Sequence, residues 1–274
     1  MNLYRLGLED RTRERNKKFQ KISQRDNLLL SSIIQEKFEL EASPKIKILD
    51  FGCGKGNLVN YLNTLGFDAN GCDITCTWED LQGTPGGRFS IITMNPYRLP
   101  YPDGSFDMVL STSVLEHAQN TEEVFREIYR VLKNGGISMH YYPSKWYLPA
   151  EPHIHIPLVN FFWPYCPNWW LGLWVLIRVA IIPKLALNWK DMYHKYCDFC
   201  KTGITYLPNS RYRAISMQIF GNQYSLMDDY LERGDGGFAR LARKFRQRKL
   251  AGWFSSNFRM NFIYQRKSPE ASQS

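Results

Sequence analysis

Three glycines at alternate positions follow an acidic residue in the run from Asp50 to Gly56. The apolar residues before the run predict a short buried strand over 46–50, and a helix is expected to begin near Asn57. Glycine lacks a Cβ atom, so a ligand can approach the backbone closely and the chain can turn with positive φ. The first N–H groups of the helix add a partial positive charge. Together these features predict a nucleoside-cofactor site at the carboxyl end of a parallel strand.

A second acid, Asp73, ends the next apolar stretch, which predicts a strand over 68–73. A carboxylate at that place can accept hydrogen bonds from both hydroxyls of a ribose. The dinucleotide fingerprint is Gly-x-Gly-x-x-Gly, whereas the glycines here fall at every second position. The spacing therefore disfavours a nicotinamide cofactor, although an NAD(P)-dependent dehydrogenase of Rossmann type is kept as an alternative.

Two further motifs follow in order. The turn Pro102-Asp103-Gly104 leads into a buried run over 106–111, and Ser113-Val114-Leu115-Glu116-His117 comes next. The four motifs resemble those of class I S-adenosylmethionine-dependent methyltransferases, in particular the type 11 group that acts on small molecules, quinones and lipids. The resemblance covers about residues 45–142 and is weak elsewhere.

The resemblance implies an α/β fold: a Rossmann-like, doubly wound sheet of seven strands, with one antiparallel strand at its edge. It also implies S-adenosylmethionine as cofactor. The residues it assigns to cofactor binding are Asp50, Gly52, Cys53, Gly54, Gly56, Asp73, Ile74, Asn95, Pro96, Ser111 and Thr112. Asn95 stands where family members often carry an acid, and its side-chain oxygen can still accept from the adenine amino group.

Hydrophobic patterning places the remaining elements. Further strands are predicted over 89–93 and 137–142, and a last one over 258–265. Asn120 is expected to cap a helix that reaches Lys133 and is stopped by Asn134-Gly135-Gly136. Residues 210–220 fit either a strand or a helix, and the helix is preferred because Gly221 would end it.

His117 is the first candidate for a general base. Methyl transfer from a sulfonium needs a base only when the nucleophile must lose a proton, and positioning supplies much of the remaining rate. The alternative for His117 is a structural histidine that bonds a loop carbonyl. Glu116 would orient His117, bind a metal or cap a turn, and one adjacent pair is too little to assign a metal.

Two other clusters contain histidine. In an extended segment His153 and His155 would face the same way, so they are added to the catalytic candidates, with a phosphate contact or a plain surface loop left open. His194, Cys197 and Cys200, with distant Cys166, offer zinc-ligand types, but the usual second pair is missing and no metal is predicted. His140 is expected to be a core histidine within the fifth strand.

The chain divides into five predicted regions. They are a basic helical segment (1–44), the cofactor-binding core (45–142), an aromatic-rich insertion (143–208), a segment that completes the fold (209–267) and a disordered tail (268–274). Residues 156–177 carry no formal charge, but prolines interrupt them and Arg178 follows, which disfavours a membrane-spanning helix. The insertion is predicted to be a cap over the active site, with membrane contact as a companion hypothesis.

Charge and cysteine content indicate which binding partners and which cellular compartment are expected. The net charge of +9 is concentrated in two basic blocks, which suit anionic lipid or a phosphorylated substrate, or are plain solvated surface. No known nucleic-acid module accompanies them, so nucleic acid is ranked last. Scattered cysteines and the lack of a secretion signal favour the cytoplasm, including the inner face of a membrane, and a homodimer is left open.

The sequence thus predicts a methyltransferase that uses S-adenosylmethionine to methylate a small-molecule, glycan or lipid-linked acceptor, at oxygen. Besides the dehydrogenase, a non-catalytic S-adenosylmethionine-binding protein is kept as an alternative.

Overall fold

The computed structural model describes residues 24–75, 87–163, 165–181, 188–234, 237–244 and 248–268. Most of the predicted basic segment lies outside the described residues, and so does the predicted tail apart from Ser268. Residues 24–32 are helical and continue into a π turn over Ile33–Lys37.

Among the described residues, seven strands form one sheet in the order β3-β2-β1-β6-β7-β9-β8, and a separate hairpin pairs β4 with β5. The strands are β1 (Lys47–Phe51), β2 (Asp68–Asp73), β3 (Phe89–Ile91), β4 (Thr93–Met94), β5 (Tyr97–Arg98), β6 (Phe106–Thr112), β7 (Leu132–Pro143), β8 (Tyr224–Ser225) and β9 (Met260–Arg266). The predicted strands are all present within two residues at each end, except that β7 begins at Leu132, five residues before its predicted start.

Parallel pairing runs from β3 to β7, while β9 pairs antiparallel with β7 on one side and with β8 on the other. The fold class predicted from the sequence is confirmed. One detail is wrong, because the antiparallel strand is second from the edge and the short strand β8 lies outside it. Two residues are too few to show an alternating pattern, so β8 left no signal in the sequence.

The helices are α1 (Asn57–Thr64), α2 (Thr121–Val131), α3 (Val159–Phe162), α4 (Asn168–Ile181), α5 (Trp189–Asp198), α6 (Asn209–Phe220), α7 (Met227–Arg233), α8 (Gly237–Lys244) and α9 (Arg248–Phe258). The Asn120 side chain caps α2 by accepting from the Glu123 amide at 3.3 Å, as predicted. That helix ends at Val131, two residues earlier than expected, because Leu132 is already extended and opens β7. The helical preference for 210–220 is correct.

Apolar residues cover both faces of the sheet. Along β6, Met108 and Leu110 belong to one buried cluster, while Val109 between them belongs to the other. Helix α1 packs on the first face, and α2 and α6 pack on the second. Successive side chains of a strand point to opposite faces, so this alternation is what a doubly wound sheet requires.

Residues 143–208, the predicted cap, build a smaller apolar cluster of their own. Ile156, Val159 and Leu171 are buried there together with Cys197 and Cys200. Helices α4 and α5 contact each other in this region. None of the helices within the described ranges combines the length and apolar character needed to cross a bilayer.

Candidate active site

The turn after β1 leaves peptide groups accessible to a ligand. Gly52, Gly54 and Gly56 have φ angles of 76°, 51° and 73°, which glycine adopts without strain. A Cβ atom at Gly52 would overlap the Val114 side chain, whereas a Cβ at Gly54 would meet no atom of the described residues within 4 Å. Gly52 is therefore required for packing, and the described residues leave space at Gly54 where a ligand can lie.

Asp73 is fixed beside this turn. One of its carboxylate oxygens accepts from the Gly54 amide at 2.8 Å, and the other accepts from the Thr75 amide at 3.2 Å. The carboxylate thus supports the turn and keeps further lone pairs for a ligand, since an ionised carboxyl offers about four acceptor sites.

Asp50 is buried at the end of β1, and its Oδ1 has no hydrogen-bond partner among the described residues. Burial, with a smaller contribution from the charge of Asp73, raises the pKa of Asp50 to about 7. An unpartnered buried carboxyl is costly, so a cationic ligand would be stabilised here.

Two cavities flank the glycine turn. One, of about 370 Å³, is the Asp50 cavity, and the other, of about 310 Å³, is the His117 cavity. Both are lined by Gly52, Gly54 and Ser113. Cys53 and Thr112 line the Asp50 cavity, whereas Asp73, Ile74 and His117 line the His117 cavity.

The remaining predicted cofactor residues have other positions. Gly56 is the N-cap of α1 and lines neither cavity. Ser111 is buried, and its hydroxyl lies 2.8 Å from Nδ1 of His140, so its polar atom is already used. Asn95 and Pro96 form the exposed turn between β4 and β5 and line neither cavity, although their neighbours Met94 and Tyr97 do.

His140 is a core histidine, as predicted. Its Nε2 lies 2.6 Å from the Ser138 hydroxyl, and the Ser111 hydroxyl lies at its other ring nitrogen. Burial lowers the pKa of His140 to about 3, so the ring is neutral. The ring is part of the core and has no free nitrogen for a ligand.

Glu116, His117 and His153 converge in one cluster, of which His117 lines the His117 cavity. The Nε2 atoms of the two histidines are 3.1 Å apart, and Nε2 of His153 is 3.8 Å from Oε1 of Glu116. Burial raises the pKa of Glu116 to about 8, with a smaller increase from Glu151, against lowering by its own backbone amide and by His153. The sequence nominated all three residues, but nothing in it placed His153 against His117.

Glu151 positions the His153 ring of this cluster. Its carboxylate is fully buried, with Oε1 at 2.5 Å from Nδ1 of His153 and Oε2 accepting from the amides of His153 and Ile154. The Tyr206 hydroxyl donates to Oε1 at 2.8 Å. Burial opposes ionisation of Glu151, but these hydrogen bonds and the charge of His153 outweigh it and lower its pKa. Neither Glu151 nor Tyr206 belongs to a sequence pattern that predicts this role.

The same contacts explain why the expectation for His155 is wrong. Because the Glu151 carboxylate binds two successive amides, residues 152–154 form a turn rather than an extended segment. His155 then has a φ of 56° and is exposed, and it does not join His153 in the cluster. Alternation along a strand therefore did not apply to this pair.

The cysteine-containing group is not assembled as a metal site. Within the described part of the chain, the single set of three His, Cys, Asp or Glu donors that converges within 4.8 Å is Glu116, His117 and His153. His194 is exposed and its ring contacts that of Tyr193. Cys166 and Cys200 hydrogen-bond to each other, which with burial raises the pKa of the Cys200 thiol.

Sequence comparisons agree with the site. Residues 49–139 match the family model of a methyltransferase domain. Sterol 24-C-methyltransferase of Yarrowia lipolytica is 30% identical over 108 residues, which cover 36% of this chain and 28% of that protein. The 24-methylenesterol C-methyltransferase 2 of Arabidopsis thaliana is 30% identical over 129 residues, covering 44% of this chain and 36% of that protein.

The chain thus spans only about a third of the length of these curated relatives. Among solved structures, phosphoethanolamine N-methyltransferase 2 of Haemonchus contortus, in complex with S-adenosyl-L-methionine, aligns with a TM-score of 0.49. That alignment has 14% sequence identity and covers 89% of this chain and 52% of the other.

The matching domain, the strand order and the glycine turn define a class I S-adenosylmethionine-dependent methyltransferase domain. The family recognised from the sequence is confirmed, and S-adenosylmethionine is the cofactor of this domain. The residues fit that cofactor. Gly54 provides a cradle that a side chain from the described ranges does not fill, Asp73 provides acceptors for the ribose hydroxyls, and the Asp50 oxygen without a described partner suits the amino-acid ammonium.

Proposed function

We propose that the chain transfers the methyl group of S-adenosylmethionine to a hydroxyl oxygen of a small-molecule, glycan or lipid-linked acceptor. The observation that carries this proposal is His117, which lines a cavity that also contains Gly54 and Asp73 and whose Nε2 lies 3.1 Å from Nε2 of His153. A neutral amine can attack the methyl group with its own lone pair. A hydroxyl is a much weaker nucleophile and needs a group that takes its proton.

The cofactor would lie across both cavities. Asp73 would accept from the ribose hydroxyls, the backbone at Gly52 and Gly54 would lie against the ligand, and Asp50 would pair with the ammonium group. Ile74 and Met94 supply apolar surface in the His117 cavity, and Asn95 remains a proposed partner of the adenine amino group because it adjoins Met94. Bound S-adenosylmethionine supplies an electrophilic methyl group on a positively charged sulfur.

The hydrogen bonds fix which nitrogen of His117 acts. Its Nδ1 donates to the backbone oxygen of Gly203, so Nε2 keeps a lone pair. Burial lowers the pKa of His117, although the Gly203 hydrogen bond opposes this and His153 adds to it. A neutral ring at neutral pH is the form that can accept a proton. The structural alternative for His117, a bond to a loop carbonyl, is thus part of the same arrangement.

Positioning of the acceptor and removal of its proton would then both contribute to the rate of methyl transfer. Holding an acceptor in line with the methyl group contributes roughly 7–11 kcal/mol in well-oriented systems, and a placed base adds roughly 10²–10⁴-fold in rate. Segment 202–205 lies over the loop after β6: Thr205 donates to the Glu116 carbonyl at 2.5 Å, and Gln119 donates to the Thr202 carbonyl at 2.9 Å. These contacts support the proposal that the insertion covers the acceptor site.

An apolar or lipid-linked acceptor is favoured within this class. The relatives named above are sterol methyltransferases, and Ile92, Val114 and Ala118 add apolar lining to the His117 cavity. Helix α4 also exposes Trp169, Leu173 and Leu176 at spacings that share one face. This exposed face supports contact with a membrane surface from which such an acceptor is taken.

The proposal is tested by incubating the full chain with methyl-labelled S-adenosylmethionine and fractionated cell extract, then identifying labelled products. A labelled methyl ether formed by the wild type and not by His117→Asn is the expected result. Label at carbon or nitrogen would contradict oxygen transfer, and binding of NADH in place of S-adenosylhomocysteine would favour the dehydrogenase. Cofactor binding without any labelled product would favour a non-catalytic role.

A further inference from the structure

The cluster beside the His117 cavity is unusual because the ring nitrogens of its two histidines face each other directly. Nδ1 of His117 donates to the Gly203 carbonyl, and Nδ1 of His153 faces the Glu151 carboxylate at 2.5 Å. In the neutral form of each ring the single N–H proton is used in these bonds, so Nε2 is the nitrogen that carries the lone pair. The two Nε2 atoms nevertheless point at each other across 3.1 Å.

Glu116 adds a third donor to the same place. Its carboxylate is fully buried, and neither oxygen accepts a hydrogen bond from another described residue. Its Oε1 is 3.8 Å from Nε2 of His153, and all three donor atoms lie within 4.8 Å of one another. A buried, unpartnered carboxylate beside two lone pairs calls for a positive charge between them.

We propose that Glu116, His117 and His153 bind one divalent transition-metal ion, for which Zn²⁺ is the best match. Imidazole nitrogens and a carboxylate oxygen bind Zn²⁺ at about 2.0–2.2 Å, so tetrahedral donors are roughly 3.3 Å apart. The 3.1 Å and 3.8 Å separations lie on either side of that value. Two histidines and one glutamate also leave a fourth position for water or substrate.

The groups around the cluster are those that support metal ligands. Ligating histidines usually donate their second ring N–H to a carboxylate or a backbone carbonyl, which fixes the tautomer. Here Glu151 does this for His153, and Gly203 does it for His117. Glu151 is fixed in turn by the Tyr206 hydroxyl and two backbone amides. Both histidines therefore already have the partner that a ligating histidine needs.

A metal ion at this place would join the insertion to the core, because His153 belongs to the first and Glu116 and His117 to the second. It would also deepen the proposed function, on which this part of the inference rests. With Nε2 of His117 bound to the ion, the ion would replace that ring as the group that promotes proton loss, and an acceptor hydroxyl bound at the open position would lose its proton to water more readily. Its oxygen would then form the bond to the methyl carbon while the carbon–sulfur bond breaks and its electron pair stays on sulfur.

The test is metal uptake by the full chain, without cofactor or acceptor. The apo protein is titrated with Zn²⁺ by calorimetry, and with Co²⁺ by visible absorption, whose ligand-field bands report nitrogen and oxygen ligands. We expect one ion per chain in the wild type and loss of that ion in His153→Asn and in Glu116→Gln. Glu151→Gln removes a supporting charge and should weaken binding by roughly 10–100-fold.

His194→Ala is the matched control, because His194 is an exposed histidine of the same insertion. It should bind as the wild type does. The proposal is overturned if the wild type takes up no stoichiometric ion, which would leave a proton between the two rings, or if His153→Asn binds equally well. A thiolate charge-transfer band that disappears in Cys200→Ser would also overturn it, by moving the ion to the cysteines.

Failure of this site is distinguishable from failure of methyl transfer. Zn²⁺ uptake without S-adenosylhomocysteine binding would remove the proposed function alone. S-adenosylhomocysteine binding and methyl transfer without Zn²⁺ uptake would remove only the metal site.

Discussion

The glycine turn and the Glu116 cluster lie on the same cavity but are specified in different ways. The turn comes from one continuous stretch, residues 50–73, in which strand, turn, helix and second strand follow directly. The cluster needs side chains from the loop after β6, from the 151–154 turn and from Tyr206. Short-range geometry positions the first region, and packing of the insertion positions the second.

This difference separates their expected functions. Backbone groups and a fixed acid can bind a cofactor that is common to many enzymes, whereas residues brought in by an insertion can be specific to one acceptor. Changes in one region should therefore alter cofactor affinity, and changes in the other should alter the rate.

The largest effect is expected for a substitution in the Glu116 cluster, on the rate of methyl transfer. His117→Asn keeps a donor for the Gly203 carbonyl but removes Nε2, so kcat should fall by roughly 10²–10⁴-fold. Affinity for S-adenosylhomocysteine should change by less than about threefold, because the proposed polar contacts to the cofactor come from Asp50, Asp73 and the glycine turn and not from His117. Steady-state kinetics with the labelled acceptor, together with calorimetry, measures both. An unchanged kcat would show that the cluster does not take part in proton removal.

The next effect is expected at the turn. Asp73→Ala removes charged acceptors for the ribose, each worth roughly 1.5–3 kcal/mol, so the dissociation constant for S-adenosylhomocysteine should rise roughly 10–100-fold. Asp68→Ala is the control, since Asp68 lies at the other end of β2 and pairs with Arg88 at 2.7 Å. Equal affinities of the two variants would remove Asp73 from the cofactor site.

A smaller effect concerns pH. Burial and the charge of Asp73 raise the pKa of Asp50 to about 7 in the ligand-free chain. At pH 7 about half of the molecules therefore carry a proton on Asp50, which must be lost before the carboxylate can pair with the cofactor's ammonium group. Affinity should therefore increase as pH rises through 7, by about tenfold between pH 6 and pH 8. Calorimetry across this range measures the slope, and Asp50→Asn should bind weakly with no slope. A flat profile in the wild type would argue against the ammonium contact.

The effect of the same titration on folding stability has the opposite direction. A raised carboxyl pKa means that the folded, ligand-free chain binds more protons than the unfolded chain, so Asp50 lowers stability progressively as pH rises from about 4 to about 7.

The smallest effect is expected on the exposed face of α4. Trp169 and Leu176 are 67% and 54% exposed, and replacing both with serine should lower the fraction that sediments with anionic liposomes a few-fold. Trp253→Ser provides a control, because Trp253 is 59% exposed on helix α9. If the wild type stays in the supernatant at both low and high salt, the membrane contact is excluded.

The fold was predictable where the signal was local. The glycine spacing, the Asn120 cap and the alternating pattern of β9 each depend on residues that are close in sequence, and all three were found as expected. Strand β8 was missed because two residues are too few to show the alternation of apolar and polar side chains that marks a strand. Asn95 and Pro96 were placed by motif alignment alone, and in the structure their neighbours line the cavity instead.

The candidate site was predictable only in part. His117 and His153 were nominated by residue type, but their contact depends on a turn that the Glu151 carboxylate makes with two amides. No pairwise spacing predicts such a turn, and the extended geometry assumed for His155 failed for the same reason. Ser111 was nominated by position, yet its hydroxyl is used by a buried histidine far along the chain.

The central claim is that the turn after β1 lies directly against the cofactor. Gly54→Asn tests it most directly, since asparagine tolerates positive φ and its side chain would extend into the open space at Gly54. Calorimetric titration with S-adenosylhomocysteine should give one site in the wild type and no detectable binding in Gly54→Asn, with the melting temperatures of the two chains close to each other. Equal affinity in the two chains would contradict the account.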